Sequence, residues 1–306
     1  MSQPPVSPST RVFGVIGDPI EHSLSPLMHN YMLESLGLDA RYLAFHVPRE
    51  QGSNVGMAMR TLGLAGLNVT LPHKETAASL SEVLSEEARD VGAVNTLGWT
   101  ADKSLAGHNT DVAGFLGALE LNGFRDTAAG QSALVLGAGG AARAILYALG
   151  RSGARQITLA NRTLSKADDL IRWFIPLFPS VTVRSIPLDD SRKLSSALDA
   201  AALTVNVTPL GMAPRKDESP LPDGLAPRPG SLVFDTVYNP ERTLLLERAA
   251  RAGCLTLNGL DMLIVQGMES LCWWLREELP WRERLHEMRV LLREALGGAL
   301  VDDLRA

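Results

Sequence analysis

Lys74 and Asp111 are the first residues whose types and places suit acid–base chemistry. Asn68 to Lys74 reads as a short strand, a proline and the start of a helix. Lys74 then sits in the first helical turn, where a cation opposes the helix dipole, and such a locally unfavourable choice points to function. His73 beside it reads as structural. Asp111 opens the helix that stops at Asn122-Gly123, and by itself it would serve as an N-cap. Spacing alone does not pair Lys74 with Asp111. Ser23 and Ser25 are two apart in a stretch read as extended, so their hydroxyls point the same way. Beside a helix N-terminus they suit a carboxylate. Ser25 alone would be the N-cap ahead of Pro26 at the first helical position. Asn95 and Asp111 each fall in a short polar turn, Gly92–Thr96 and Gly107–Asp111. Gln266 lies within an apolar helix, Met262–Trp274. A buried amide needs partners, and a substrate hydroxyl is one candidate.

A second group of residues suits a dinucleotide. Ala133 to Arg143 reads as strand, tight turn and helix, and Gly137, Gly139 and Ala142 fit G-x-G-x-x-G/A. Bare backbone there lets amides and the helix N-terminus approach a pyrophosphate. The strand context raises this above a mere packing turn. An NAD site places an acid about 20 residues further on, against the ribose 2′-hydroxyl. This chain has Asn161, Arg162 and Thr163 there, with Lys166 just beyond. An arginine with a hydroxyl neighbour and a lysine attracts a 2′-phosphate, which predicts NADP(H).

The elements needed to position these groups alternate along the chain. Arg11–Ile16, Arg41–Val47 and Leu67–Leu71 read as strands, with a helix over Pro26–Leu36. From residue 133 the alternation is more regular, with strands at Ala133–Leu136, Gln156–Ala160, Val181–Ile186, Leu203–Val207, Leu232–Thr236 and Leu255–Leu257. Helices are expected over Gly139–Gly150, Leu164–Phe174 and Thr243–Ala252. Repeated β-α units imply a parallel sheet with helices on both faces. Pro209–Gly230 reads as a mobile surface loop. Two tail helices, Asp261–Leu275 and Trp281–Leu296, are expected to fold back on the first domain. The expected domains are 1–111 completed by 260–306, and 112–259. The fold class is α/β: a substrate domain and a Rossmann-like, doubly wound NADP domain.

With 306 residues the chain is long enough for two domains. Its net charge of −5, with no basic run, gives no reason to expect nucleic acid or an anionic membrane as partner. Cys254 and Cys272 have neither disulfide nor zinc spacing, and no metal is expected. The N-terminus, without a basic and an apolar region, reads as a short disordered arm rather than a secretory signal. No stretch is apolar for long enough to span a bilayer, so the expectation is a cytoplasmic protein.

Several segments together resemble the shikimate dehydrogenase family. They are Gly17–Asn30 with Ser23 and Ser25, Asn68–Lys74, Gly92–Thr96, Asn109–Asp111, Gly137–Ala141, Asn161–Thr163 and Gly259–Gly267. They follow the family's order. The resemblance implies two α/β domains with the site in the cleft between them, and NADPH-dependent interconversion of 3-dehydroshikimate and shikimate, a step of chorismate and aromatic amino acid biosynthesis. It implies that Ser23, Ser25 and Thr70 hold the substrate carboxylate, and that Asn95, Asp111 and Gln266 bind ring hydroxyls. Lys74 resembles the catalytic lysine with Asp111 as its partner, and Tyr238 a substrate-contacting tyrosine. Gly137, Ala138, Gly139, Gly140, Ala141, Asn161, Arg162, Thr163 and Lys166 match the cofactor site, and Thr236 and Gly259 match positions near the nicotinamide. The expected partners are the small ring acid and NADP(H), and a homodimer is left open. A quinate/shikimate dehydrogenase and a catalytically silent NADP-binding regulator remain alternatives. Val112 departs from the family's usual glycine, and Trp273-Trp274 from its single tryptophan.

Overall fold

The computed structural model describes residues 4–297. Parts of two expectations lie outside them: the first residues of the N-terminal arm, and the end of the segment 260–306. The chain divides into two units. One holds the chain up to Gly114 and from Leu263 onward, the other Phe115–Met262.

In the first unit the strands are β1 (Arg11–Gly17), β2 (Ala40–His46), β3 (Gly66–Val69), β4 (Val83–Leu84), β5 (Thr96–Trp99) and β6 (Leu105–His108). They form one sheet in the order β2-β1-β3-β5-β6-β4. β2, β1 and β3 run parallel, as β-α alternation requires, but β5 is antiparallel to both β3 and β6. The sheet is therefore mixed, unlike the parallel sheet expected from the regular β-α alternation after residue 133. The β5–β6 connection is a short hairpin, with Lys103 at φ 63° in the left-handed region. Helices α1 (Ser25–Ser35), α2 (Val55–Leu62), α3 (Lys74–Leu80) and α4 (Glu86–Val91) lie between strands, and α5 (Asp111–Leu121) leads out of β6. Ile16, Met59, Leu67, Val69 and Leu97 share one core cluster. Each such side chain contributes about 1.5–3 kcal/mol on full burial.

In the second unit β7 (Ser132–Leu136), β8 (Gln156–Asn161), β9 (Thr182–Pro187), β10 (Leu203–Asn206), β11 (Leu232–Asp235) and β12 (Leu255–Leu257) are all parallel. Their order is β12-β11-β10-β7-β8-β9. The strand order reverses between β7 and β10, as in doubly wound sheets. The intervening helices are α6 (Ala142–Arg151), α7 (Leu164–Leu177), α8 (Ser191–Ala200) and α9 (Leu244–Arg251).

Helix α10 (Leu260–Leu275) carries the chain out of the second unit, and α11 (Leu285–Ala295) follows it and packs against α1. A short 3-10 turn over Trp281–Arg284 replaces the first turn expected of the last helix. The paired tryptophans both pack on the first sheet. Trp274 Nε1 donates to Leu97 O at 2.9 Å and its ring stacks on Phe13 at 5.0 Å, while Trp273 stacks on His108 at 5.5 Å. Strands β3 and β5 admit them through Gly66 and Gly98, where a Cβ would stand 2.4 Å from the Trp274 ring and 2.6 Å from that of Trp273. Val112 is buried and α5 begins regularly one residue before it.

Two further expectations are corrected. Residues 7–10 are tied down: the Ser7, Ser9 and Thr10 hydroxyls all bond Asp39, with Thr10 Oγ1 at 2.6 Å. The segment 209–230 is anchored rather than free, because Leu221 is buried in the second unit's core, with Leu225 packed against it. Among the described residues no helix is long and apolar enough to cross a membrane.

Candidate active site

The first unit assembles its polar side chains at the ends of its central strands. Lys74 is the first residue of α3, directly after the turn that follows β3, and Asp111 is the first residue of α5, after β6. Lys74 Nζ lies 2.5 Å from Asp111 Oδ2, and the two side chains are 14% and 9% exposed. At that exposure the pair is little screened by water. Asp111 is not an N-cap: Asn109 Oδ1 accepts from the Asp111 amide at 3.0 Å, which leaves the carboxylate to other partners. His73 holds the turn by a contact from Nε2 to Val47 O at 2.7 Å.

Asn95 is the second partner of Asp111. The Thr110 amide donates to Asn95 Oδ1 at 2.8 Å, so the amide orientation is set and Nδ2 faces Asp111 Oδ1 at 3.0 Å. Nδ2 also approaches Gln266 Oε1 at 3.4 Å, while Gln266 Nε2 donates to Leu263 O within its own helix. Lys74, Asp111, Asn95 and Gln266 thus form one cluster.

Ser23 and Ser25 are close neighbours by a different route from the one expected. The stretch is a turn, not extended: the Ser23 amide donates to Ile20 O, and Leu24 has helical angles of φ −85° and ψ −4°. Ser25 is the first helical residue, and its side chain does not cap the helix. Its amide donates to Ser23 Oγ at 3.3 Å. Thr70 follows β3, where its amide donates to Ile16 O at 2.9 Å. Gly17 leaves it room, since a Cβ there would come within 2.6 Å of Thr70 Cγ2.

Several buried side chains under this site were not singled out in the sequence. The Tyr42 hydroxyl donates to Asn68 Oδ1 at 2.7 Å and is bonded to Ser25; burial holds its pKa well above the usual tyrosine value. His29 is fully buried between two carbonyls, with Nδ1 2.9 Å from Ser25 O and Nε2 3.1 Å from Gly267 O. Burial lowers its pKa to about 4, against the opposing pull of those carbonyls. Thr96, Thr110 and Ser270 complete the buried layer. A polar residue inside an apolar strand, such as Asn68 in Gly66–Val69, was the one available signal.

The remaining predicted residues lie in the second unit. Gly137 follows β7 at φ 109°, a conformation that favours glycine, and a Cβ there would stand 2.7 Å from Thr208 Cγ2. A Cβ on Gly139 would meet nothing within 4 Å, and Gly139 and Gly140 are exposed, so the backbone is open to an approaching group. Ala138 and Ala141 are half-buried, and α6 starts at Ala142 without a side-chain cap, a little later than expected. Its first amides are therefore available to an anion. Asn161 ends β8 and its Nδ2 donates to Thr163 O at 2.9 Å, which closes the turn that presents Arg162. Arg162, Thr163 and Lys166 are all exposed. These residues fit an NADP pyrophosphate and 2′-phosphate. Gly259 has a packing reason of its own, because a Cβ would stand 2.1 Å from Thr236 O. Thr236 and Tyr238 follow β11 in the turn that buried Asp235 organises. Asp235 accepts from Asn206 Nδ2, Thr243 Oγ1 and the Val237 amide, and burial raises its pKa to about 6.

A family model described as the shikimate dehydrogenase substrate binding domain matches residues 15–97, and one described as shikimate / quinate 5-dehydrogenase matches residues 121–205. The chain is similar to a shikimate dehydrogenase (NADP(+)) of Methanopyrus kandleri, 42% identical over 275 residues, 90% of this chain and 93% of that protein. The chain belongs to the shikimate dehydrogenase family. Among solved structures it resembles shikimate 5-dehydrogenase of Listeria monocytogenes in complex with shikimate and NAD. That likeness has a TM-score of 0.84 and 34% identity, over 95% of this chain and 99% of that one. It also resembles the Thermus thermophilus enzyme in complex with NADP(H) and shikimate, with a TM-score of 0.78 and 35% identity over 92% and 99% of the two chains. Both family models and these neighbours agree with the two-unit α/β architecture and with an oxidoreductase acting on a CH–OH group.

Proposed function

We propose that this chain catalyses the reversible, NADPH-dependent reduction of 3-dehydroshikimate to shikimate. The observation that carries the reading is the largely buried Lys74–Asp111 pair at the heart of the hydroxyl-binding cluster. NADPH supplies the hydride when bound. As the ring carbonyl gains it, negative charge develops on oxygen, and Lys74 Nζ donates a proton there. Ketone, hydride and proton give the alcohol. In the reverse direction neutral Lys74 takes the hydroxyl proton back.

Asp111 Oδ2 holds Nζ in place, and Oδ1 stays tied to Asn95, so the donor is oriented before substrate arrives. Asn95 and Gln266 offer amide groups to the neighbouring ring hydroxyls. The hydroxyls of Ser23, Ser25 and Thr70 hydrogen-bond the carboxylate, Ser25 turning from the Tyr42 oxygen to do so, and Tyr238 contacts the ring. Gly137–Ala141 and the N-terminal amides of α6 take the pyrophosphate. Asn161, Arg162, Thr163 and Lys166 take the 2′-phosphate, and Thr236 and Gly259 border the nicotinamide. We place the reaction in the cytoplasm, where NADPH and a polar ring acid are both free to diffuse. The test is NADPH formation from NADP with shikimate, then with quinate, at equal concentrations. Turnover with shikimate well above that with quinate is expected, and turnover with neither overturns the reading.

A further inference from the structure

Ser270 lies one turn beyond Gln266 on α10 and is fully buried. Its Oγ touches polar atoms from four separate stretches of chain. Asn68 Nδ2 on β3 is 2.8 Å away, Thr96 Oγ1 on β5 2.8 Å, Thr110 Oγ1 at the entry to α5 3.1 Å, and the Gln266 carbonyl 2.9 Å.

Proton directions make this more than a packing contact. The Tyr42 hydroxyl donates to Asn68 Oδ1, and Asn68 Nδ2 faces the Asn95 carbonyl at 3.2 Å. Asn68 therefore presents only N–H to Ser270. The Gln266 carbonyl can only accept. Ser270 is thus an acceptor on the β3 side and a donor on the α10 side, a role that an apolar side chain cannot fill. The two threonine hydroxyls it touches are those that border Asn95. Thr96 Oγ1 donates to Asn95 Oδ1 at 2.9 Å, and Thr110 Oγ1 accepts from Asn95 Nδ2 at 2.9 Å.

We propose that Ser270 is a positioning residue for substrate recognition, which aligns Asn95 and the Gln266 turn toward the ring hydroxyls. It touches neither substrate nor cofactor. Without its oxygen, Asn68 Nδ2 keeps only its contacts near 3.2 Å, and the Thr110 hydroxyl loses an acceptor. Asn95 then samples orientations that no longer match the ring. Lys74 remains held by Asp111 through a bond that Ser270 does not make.

This rests on the proposed function, so the wild type is measured first. If it does not turn over shikimate, that function fails; if it does, the variants test Ser270 alone. Loss of one buried hydrogen-bond hub predicts that Ser270→Ala raises the KM for shikimate about tenfold, with kcat within about threefold and the KM for NADP unchanged. Ser270→Cys, which keeps shape and a weak donor, should lie between the two, and it serves if the alanine variant does not fold. Shape retention alone would predict a wild-type KM for the cysteine variant, which overturns the proposal. The readout specific to positioning is coupling. In an Asn95→Ala background, adding Ser270→Ala should change the KM by less than about twofold, because the group it orients is gone. A full multiplicative loss in that background, or an equal rise in the inhibition constant of a ring acid lacking the hydroxyls, would show general loosening and overturn the assignment.

Discussion

Replacing Lys74 by alanine tests the chemistry most directly. Nζ is 2.5 Å from Asp111 Oδ2 and the two side chains are 14% and 9% exposed, so the proton donor is fixed in place and largely withdrawn from bulk water. Losing a positioned general acid costs about 10²–10⁴ in rate, which corresponds to roughly 3–5 kcal/mol of barrier. Turnover should fall by that factor while the shikimate dissociation constant moves far less, since the carboxylate hydroxyls and Asn95 remain. Lys74→Arg should not restore activity, because a guanidinium does not release its proton near neutral pH. Asp111→Asn should also be severe for a reason visible in the geometry. Asp111 accepts on both oxygens, from Lys74 and from Asn95, so an asparagine must turn its NH₂ toward one of these donors. The double variant should lose less than the two single losses multiplied, because the two groups act as a unit. Steady-state kinetics beside direct binding measurements decide the matter. Near-normal turnover in Lys74→Ala would refute the proton-donor role, and a loss confined to binding would make Lys74 a substrate ligand instead.

Arg162→Ala should weaken NADPH by about 1.5–3 kcal/mol and NADH far less, measured by titration of each cofactor. Equal losses would show that Arg162 does not read the 2′-phosphate. Ser23→Ala should raise the KM for shikimate and leave NADP binding alone, and an analogue without the carboxylate should be indifferent to the change. Stability against pH should separate His29 from Asp235, followed by urea denaturation between pH 4 and 7. Asp235 rises from 3.8 to about 6 on folding, so its contribution is full below pH 3.8 and is lost as pH rises through 6, about 3 kcal/mol in all. His29 falls from 6.5 to about 4, so its contribution is full above pH 6.5 and is lost as pH falls through 4, again about 3 kcal/mol. The two slopes oppose each other. Relative to wild type, His29→Asn should grow less stable as pH rises across this window and Asp235→Asn more stable. Parallel curves for all three proteins would contradict both assignments.

The second unit was the more readable in sequence because its rules are local. Each β-α step of a parallel sheet announces itself by an apolar run and a glycine or proline stop, and the turn at Gly137 needs its residue type for reasons of backbone alone. What escaped was α8, whose ten residues Ser191–Ala200 bury only Leu194, Ala197 and Leu198. That narrow stripe is thin against a polar majority. In the first unit β5 and β6 went unread apart from Thr96 and Gly107-His108, which fell in the two polar turns, since strands of four residues interrupted by glycine carry too short a pattern to register. Their antiparallel pairing is a tertiary fact. It follows from a hairpin at Lys103 that composition does not mark.

The site divides along the same line. Lys74 drew attention because it breaks a local rule, a cation in a first helical turn, and a broken local rule is visible in one dimension. Ser23 and Ser25 do lie side by side, though not for the reason expected. They lie in a turn rather than a strand, and what joins them is the bond from the Ser25 amide to Ser23 Oγ. Asn68, Thr96 and Ser270 break no local rule strong enough to notice, because Asn68 is one polar residue in a short strand while Thr96 and Ser270 follow the polar Asn95 and Glu269, which is also how a surface position looks. Their meaning comes from meeting across the fold. Asn68 and Ser270, 202 residues apart in the chain, stand 2.8 Å apart in space. A buried polar group is tolerated only where its partners are supplied, so the strands and α10 must already be in register for this layer to be stable. The same requirement gives the layer its use. Because its donors and acceptors are satisfied before any ligand arrives, Asn95 and Asp111 are held in one arrangement, and less ordering remains to be done when the ring acid binds.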